Sequence, residues 1–408
     1  MLRVVVTNAV LSNTGDAAIF QAIRDSLLAN SSAPVEVTCL DANAQVTRRL
    51  YPAWKIEQQV TVAPTTGRIR RALSRRLRIF LARRISKGST WPLLTLRAWP
   101  LRHTSVGRAL SAIRRADVVV SSGGTYLVDH YNFEHRAIEL GMAQALGKPT
   151  ILWTQSVGPF ESTESRESAT KIAAAANSVW VRDRPSSEAW KSLASGPSPM
   201  TAPDAVFSIA RPRLPLDKRQ NEVLVSAREW NSTTTGEPSL LTDYRTMLRS
   251  GAQNLLEKDI SVSALSTCQG LSSYRYDDSE IAAHLFDDIN VKIDRDFHTP
   301  DALLDRIGAA RGVIATRMHF SILALLTGTP VIAIAYEFKT LELFRSLGMG
   351  DFVIPIEDSS AEWLTERISI ALEPDSPAVL SLARLEDLRD QAQGPAKDFL
   401  SSVTLDRA

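Results

Sequence analysis

The 408 residues contain two cysteines, Cys39 and Cys268, far apart in sequence, so neither a disulfide framework nor a thiolate zinc site is supported. No run of eighteen apolar residues occurs, and Met1–Thr7 is too short for the apolar core of a signal peptide. A cytoplasmic location is the expectation. The chain also lacks a nucleophile elbow, a His-Glu-x-x-His pair and a Walker loop, which removes the common hydrolase, zincin and P-loop readings. Asp294-Arg295-Asp296 has carboxylate spacing for a metal but reads as a solvated turn in a charged run, so no metal is expected.

A further absence is local. Residues 58–116 hold no Asp or Glu, while residues 68–115 carry fourteen Lys or Arg, leaving the remainder of a +2 chain acidic. Ile69, Leu73, Leu77, Phe80, Leu81 and Ile85 recur at helical spacing between these arginines, with Trp91 and Trp99 following. Two readings fit this basic segment: a patch resting on anionic lipid headgroups at the inner face of a membrane, or a solvated helix packed on its own domain. No nucleic-acid-binding motif accompanies the charge.

What is present is an alternation of apolar strands and amphipathic helices, the pattern of parallel α/β architecture, in a chain long enough for two domains. Strands are expected near 2–7, 35–39, 117–121, 150–154 and 178–181, then again near 222–226, 260–265, 290–293, 312–316 and 331–335. Prolines between Arg211 and Asn221 resist both ladder and helix and mark a linker. The expected division is 1–210 and 222–408, with a charged helix over 378–400 at the C-terminal end.

The ends of these strands carry the chemistry. Val313-Ile314-Ala315 runs into Thr316-Arg317-Met318-His319, and Val331–Ala335 runs into Tyr336-Glu337-Phe338-Lys339. A guanidinium, an imidazole and an ammonium thus fall where open α/β sheets hold their ligands, at turns opening onto helix N-termini that attract anions. The spacing predicts a small, multiply charged anionic ligand such as a phosphorylated carboxylate. In the first half, Asn8, Asn13 and Gly15 follow the first strand, Gly123-Gly124-Thr125 the third and Gln155 the fourth. Asp129 lies just beyond the glycine pair, and Arg182-Asp183 follows Val181. Asp16 reads either as a ligand-facing carboxylate or as a helix cap.

In order and spacing, this series resembles the polysaccharide pyruvyl transferases along nearly the whole chain. The pieces are Asn13-Thr14-Gly15-Asp16-Ala17-Ala18-Ile19, Gly123-Gly124-Thr125, Gln155-Ser156-Val157-Gly158-Pro159-Phe160, Val181-Arg182-Asp183 with Ser186, and Pro203-Asp204. They continue with Val225-Ser226-Ala227-Arg228-Glu229, Ser266-Thr267-Cys268-Gln269-Gly270, Thr316-Arg317-Met318-His319 and Tyr336-Glu337-Phe338-Lys339. The Ser-Thr-Cys and Tyr-Glu-Phe-Lys pieces are most similar to the colanic acid branch of that family. The resemblance implies a GT-B-like pair of Rossmann-like domains facing across a cleft, with phosphoenolpyruvate as donor substrate and no resident cofactor. The acceptor it implies is a sugar, as a lipid-linked oligosaccharide. It favours Arg317, His319 and Lys339 as donor residues; Arg228, able to grip a carboxylate or phosphate in bidentate fashion, joins them as a donor clamp, and an imidazole near its unperturbed pKa makes His319 the expected general acid. Asn13, Gly15, Asp16, Gly123, Gly124, Thr125, Gln155 and Arg182 would then meet the acceptor, with Asp16 or Asp129 as base. A GT-B nucleotide-sugar glycosyltransferase is the alternative, because fold alone does not fix function.

Overall fold

The computed structural model describes residues 1–61, 80, 84, 104–129, 133–229 and 238–405. The chain divides into two compact units: Met1–Ser12, Asp16–Ser208 and Asp390–Ala408 form the first, and Asn13–Gly15 with Ile209–Arg389 form the second. Each is built on a parallel sheet.

The first sheet uses β1 (Leu2–Ala9), β2 (Val35–Asp41), β3 (Lys55–Gln58), β4 (Val118–Ser121), β5 (Gly124–Leu127), β6 (Thr150–Val157), β7 (Ser178–Val181) and β8 (Met200–Thr201). Their order is β3-β2-β1-β4-β6-β7-β8, with β5 paired to β6. Val4 is in register with Val37 on one side and Val118 on the other, so β1 is central. Its run of valines suits a strand buried on both faces, and β6 is buried along its whole length for the same reason. Helices pack on both faces. The helix Ser105–Arg115 lays Val106, Ala109, Leu110 and Ile113 against Val5, Leu40, Val119 and Met142, and Thr104 caps it by accepting from the Gly107 amide. This end of the basic segment is therefore a packed amphipathic helix, with Arg108 on the Glu57 carboxylate at 3.0 Å. The rest of the segment, apart from Phe80 and Arg84, lies outside the described residues.

The second sheet uses β9 (Gln220–Ser226), β10 (Ser261–Ala264), β11 (Lys292–Ile293), β12 (Ala310–Ala315), β13 (Val331–Ala335) and β14 (Val353–Pro355), in the order β11-β10-β9-β12-β13-β14. Between β12 and β13 runs the helix Met318–Thr327, whose sequence MHFSILALLT is apolar almost all round; it is accordingly buried all round.

The division differs from the expected one at both ends. The tripeptide Asn13–Gly15 groups with the second unit, and the final helix Gly394–Leu405 groups with the first, where Asn30 donates to Gln393 and Trp180 packs beside Gly394. The single expected helix over 378–400 is instead two, Leu382–Ala392 and Gly394–Leu405, parted at Gln393 just before Pro395, whose ring nitrogen cannot donate.

Candidate functional site

In the second unit the chain steps outward from β9 to β10 and β11, then returns to lay β12 on the opposite side of β9. The reversal between β9 and β12 is the topological switch point of an open parallel sheet, where the crevice outside the carboxyl ends takes ligands. Arg228 lies two residues beyond β9, Arg317 and His319 leave β12, and Lys339 follows β13. The topology thus sets all four expected donor residues at the carboxyl ends of neighbouring strands.

Their partners distinguish them. Arg317 donates through Nε and Nη2 to the two carboxylate oxygens of Asp278, at 2.8 and 2.6 Å, and Asp278 also accepts from the Ser266 hydroxyl at 2.5 Å. Burial opposes the Arg317 charge, but Cys268 and Asp278 outweigh it and push the guanidinium pKa further up. The bidentate fork expected for an anionic ligand is therefore already filled by a protein carboxylate, leaving Nη1 to point elsewhere. Among the described residues, the Arg228 guanidinium carbon stacks 3.7 Å above the Tyr336 ring, and its Nε and backbone amide make hydrogen bonds, to the Glu229 carbonyl and the Tyr244 hydroxyl, while its terminal nitrogens make none. The same Tyr244 hydroxyl pairs with Thr316 Oγ1 at 2.9 Å, so one buried phenol ties the exit of β9 to that of β12; burial pushes its pKa up. Lys339 Nζ rests 2.6 Å from the Glu337 carboxylate.

His319 is in the first turn of the helix Met318–Thr327 and packs against Gly15. A Cβ built on Gly15 would fall 2.7 Å from His319 Cβ and 2.8 Å from its Nδ1, so no other residue fits without moving the imidazole. Neighbouring bonds fix this tripeptide: the Thr14 amide donates to the Thr267 carbonyl, the Thr14 hydroxyl to the His298 carbonyl, and the Gly15 amide to Asn13 Oδ1.

In the first unit the switch point lies between β1 and β4. Gln155, wholly buried, donates to the Ser121 hydroxyl at 2.7 Å and the Ser122 carbonyl at 2.6 Å, and Asn8 donates to the same hydroxyl. Ser122 and Gly123 form the turn from β4 into β5, which Gly124 opens. Arg182, 5% exposed, spends each of its nitrogens on protein: Nε on Ser156, Nη1 on Asp204 and Nη2 on Thr125. Arg182 and Thr125 thus hold strand ends together. Asp183 completes the lock by accepting from Ser156 and from the Ser186 amide as the cap of the helix Arg184–Lys191. Asp16 is buried in the first turn of the helix Thr14–Asn30. Asp129 accepts from the Glu161 and Ser162 amides, at 2.6 and 2.8 Å, ahead of the helix Thr163–Ala175. Burial opposes its charge, yet the Ser162 amide, the Ser165 hydroxyl and the Glu161 amide outweigh burial and hold its pKa below the ordinary carboxylate value, which suits a structural anion better than a base.

The family described as Polysaccharide pyruvyl transferase matches residues 13–337. The chain belongs to the polysaccharide pyruvyl transferase family. A relative, the Amylovoran biosynthesis protein AmsJ of Erwinia amylovora, is 27% identical over 265 residues, which span 60% of this chain and 63% of that protein's length. Among solved structures, UDP-GlcNAc 2-epimerase from Methanocaldococcus jannaschii superposes with a TM-score of 0.57 at 10% identity, covering 99% of each chain. Anabaena Alr3699/HepE in complex with UDP and glucose gives 0.55 at 10% identity over 99% of each. MurG of Acinetobacter baumannii gives 0.51 at 11% identity, covering 98% of this chain and all of that one. At such identities the likeness is one of fold, and the fold is GT-B-like.

Three carboxylates of this pyruvyl transferase fold take roles that no sequence motif assigns to them. Asp278 fills the Arg317 fork, and Glu337, within the Tyr-Glu-Phe-Lys piece, neutralises Lys339. Glu139, buried on the helix Glu134–Ala145, accepts from Thr7 Oγ1 and the Val60 amide, and burial pushes its pKa up. Asp278 stands in the helix-opening run Asp277-Asp278-Ser279, which marks a helix start but not its pairing with Arg317. Among the described residues no group of three His, Cys, Asp or Glu is placed to hold a metal, and no helix is long and apolar enough to cross a membrane.

Proposed function

We propose that the chain transfers the enolpyruvyl carbons of phosphoenolpyruvate to two hydroxyls of a sugar in a polysaccharide precursor, forming a pyruvyl ketal and releasing phosphate. The observation that carries this reading is the set of Arg228, Arg317, His319 and Lys339 at the switch point of the second sheet. A donor bearing both carboxylate and phosphate needs several cations at once. Arg228, whose terminal nitrogens have no hydrogen-bond partner among the described residues, is the bidentate clamp above Tyr336. Lys339 takes the phosphate as its charge builds on departure, and Arg317 contributes Nη1 from a guanidinium locked by Asp278. His319 protonates the terminal methylene carbon as a sugar hydroxyl attacks C2. Phosphate leaves with the electrons of the C2–O bond, and the second hydroxyl closes the ring. One hydroxyl proton restores the imidazole and the other leaves with phosphate. The base is Asp16 or Asp129; the Glu161 and Ser162 amides already bind the Asp129 carboxylate, which makes it the weaker candidate.

The acceptor is read as a lipid-linked oligosaccharide, with the basic segment 68–115 resting on anionic headgroups. Salt-sensitive flotation with anionic but not neutral liposomes would support that contact, and no flotation would remove it. The enzymatic reading is tested by incubating the purified protein with phosphoenolpyruvate and a panel of lipid-linked sugars. Phosphate release with the mass gain of one ketal supports it. Transfer from nucleotide sugars without use of phosphoenolpyruvate would replace it with glycosyltransfer.

A further inference from the structure

Arg228 is fixed at three points, and each removes a direction in which it could bind. Its backbone amide donates to the Tyr244 hydroxyl, which also pairs with Thr316 at the exit of β12. Its Nε donates to the Glu229 carbonyl at 3.1 Å. Its guanidinium carbon stands 3.7 Å from the centroid of the Tyr336 ring. At that separation the two groups are in van der Waals contact, so the guanidinium lies flat on the ring. One face is covered and the Nε edge is spent. Among the described residues the edge formed by Nη1 and Nη2 carries no hydrogen bond, and that edge is what remains for a ligand.

The support under the guanidinium is itself held in place. Tyr336 follows Ala335, which is in register with Pro355 of β14, and precedes Glu337, whose carbonyl accepts from the Thr340 amide in the first turn of the helix Phe338–Ser346. A ring held before any ligand arrives lowers the ordering cost of binding. The other cations of this rim offer different shapes. Arg317 has placed Nε and Nη2 on Asp278, so a single nitrogen, Nη1, is left to it, and Lys339 carries a compact point charge.

We propose that Tyr336 is the specificity-determining residue of the donor site: by holding the Arg228 guanidinium flat it makes that residue a reader of planar carboxylates, and it leaves the tetrahedral phosphate to Arg317 and Lys339. A carboxylate is planar, and its two oxygens match the two parallel N–H bonds of the Nη1–Nη2 edge. A phosphate has no such plane, and point donors that can follow its oxygens suit it. The two negative groups of one ligand are thereby sorted by shape. This inference rests on the enolpyruvyl reading above and adds how the same site tells its donor from other phosphate esters.

The test is calorimetry of the full chain with phosphoenolpyruvate, phospholactate, ethyl phosphate and inorganic phosphate. The wild-type protein should bind the first two more tightly than ethyl phosphate. Tyr336→Leu should weaken both carboxylate-bearing probes by roughly three- to tenfold and shift ethyl phosphate and inorganic phosphate by less than about twofold, while Tyr336→Phe and Tyr336→Trp keep the wild-type ranking. Replacing Tyr336 by phenylalanines carrying one, two and three fluorines keeps the ring but drains its electron density, so phosphoenolpyruvate should weaken in that order. That series reads the stack directly and does not depend on Tyr336→Leu folding. All probes weakened alike by Tyr336→Leu, or a phosphoenolpyruvate affinity indifferent to fluorination, overturns the assignment and leaves the donor reading standing. Absence of phosphoenolpyruvate binding to the wild-type protein would remove that reading and this inference with it.

Discussion

His319 and Gly15 show how much can rest on one side chain and the lack of another. With no Cβ, residue 15 lets the imidazole settle against backbone at the start of its helix, where the proposed proton donation takes place. His319→Ala should lower kcat by roughly 10²–10⁴-fold while leaving phosphoenolpyruvate affinity within a few-fold, and unchanged turnover would remove His319 from the chemistry. Glu337 acts in the opposite sense. Its carboxylate, 29% exposed, neutralises Lys339, 11% exposed, and in the proposed reading it gives way to the donor phosphate. Glu337→Gln should tighten phosphoenolpyruvate binding about two- to fivefold, the range of a partly exposed ion pair, as measured by calorimetry. Equal or weaker binding would mean that Glu337 orients Lys339 instead of competing for it.

At the scale of elements, strand ends are held by side chains reaching in from other elements. The Arg317–Asp278 pair joins the turn after β12 to the helix Asp278–Leu285, with the carboxylate 4% exposed. Asp278→Asn strands a buried guanidinium and should destabilise the chain by about 3–5 kcal/mol in urea unfolding. Replacing both partners, Arg317→Met with Asp278→Leu, should recover part of that loss. Asp129 performs a related task ahead of the helix Thr163–Ala175. Its folded pKa is depressed, so its contribution is present above the unfolded value of about 3.9 and disappears as pH falls through the folded value. The stability gap between wild type and Asp129→Ala should therefore be flat near neutrality and narrow below about pH 4; a gap unchanged down to pH 2 would show that charge is irrelevant there. Strands with valine and isoleucine runs were legible because those runs are local signals, as in Val118–Val120 and Val331–Ala335. β3, β5, β8 and β14 were not: Lys-Ile-Glu-Gln and Gly-Thr-Tyr-Leu hold no such run, β8 and β14 have only two and three residues, and pairing with β2, β6, β7 and β13 defines them.

Across the whole molecule, the order of motif pieces was legible because a parallel sheet places each strand's exit on one rim, so linear order maps onto a ligand face. The partners were not. Nothing local announces that Asp278 would fill the fork of Arg317, thirty-nine residues away, or that Arg182 would be consumed by Ser156, Asp204 and Thr125. The charge excess of residues 68–115 was visible in composition, yet its last eleven residues are a helix buried along one side by Val106, Leu110 and Ile113.

The unequal bookends of the two units carry a practical consequence. A gene cut at Ile209 would yield a C-terminal fragment without Asn13–Gly15, leaving the Thr267 and His298 carbonyls bare and His319 without its neighbour. The complementary fragment would lack Gln393 and the terminal helix that belongs to it. Each half expressed alone should be less resistant to proteolysis than the intact chain, and co-expression should restore resistance; halves as protease-resistant apart as together would show these strays to be dispensable.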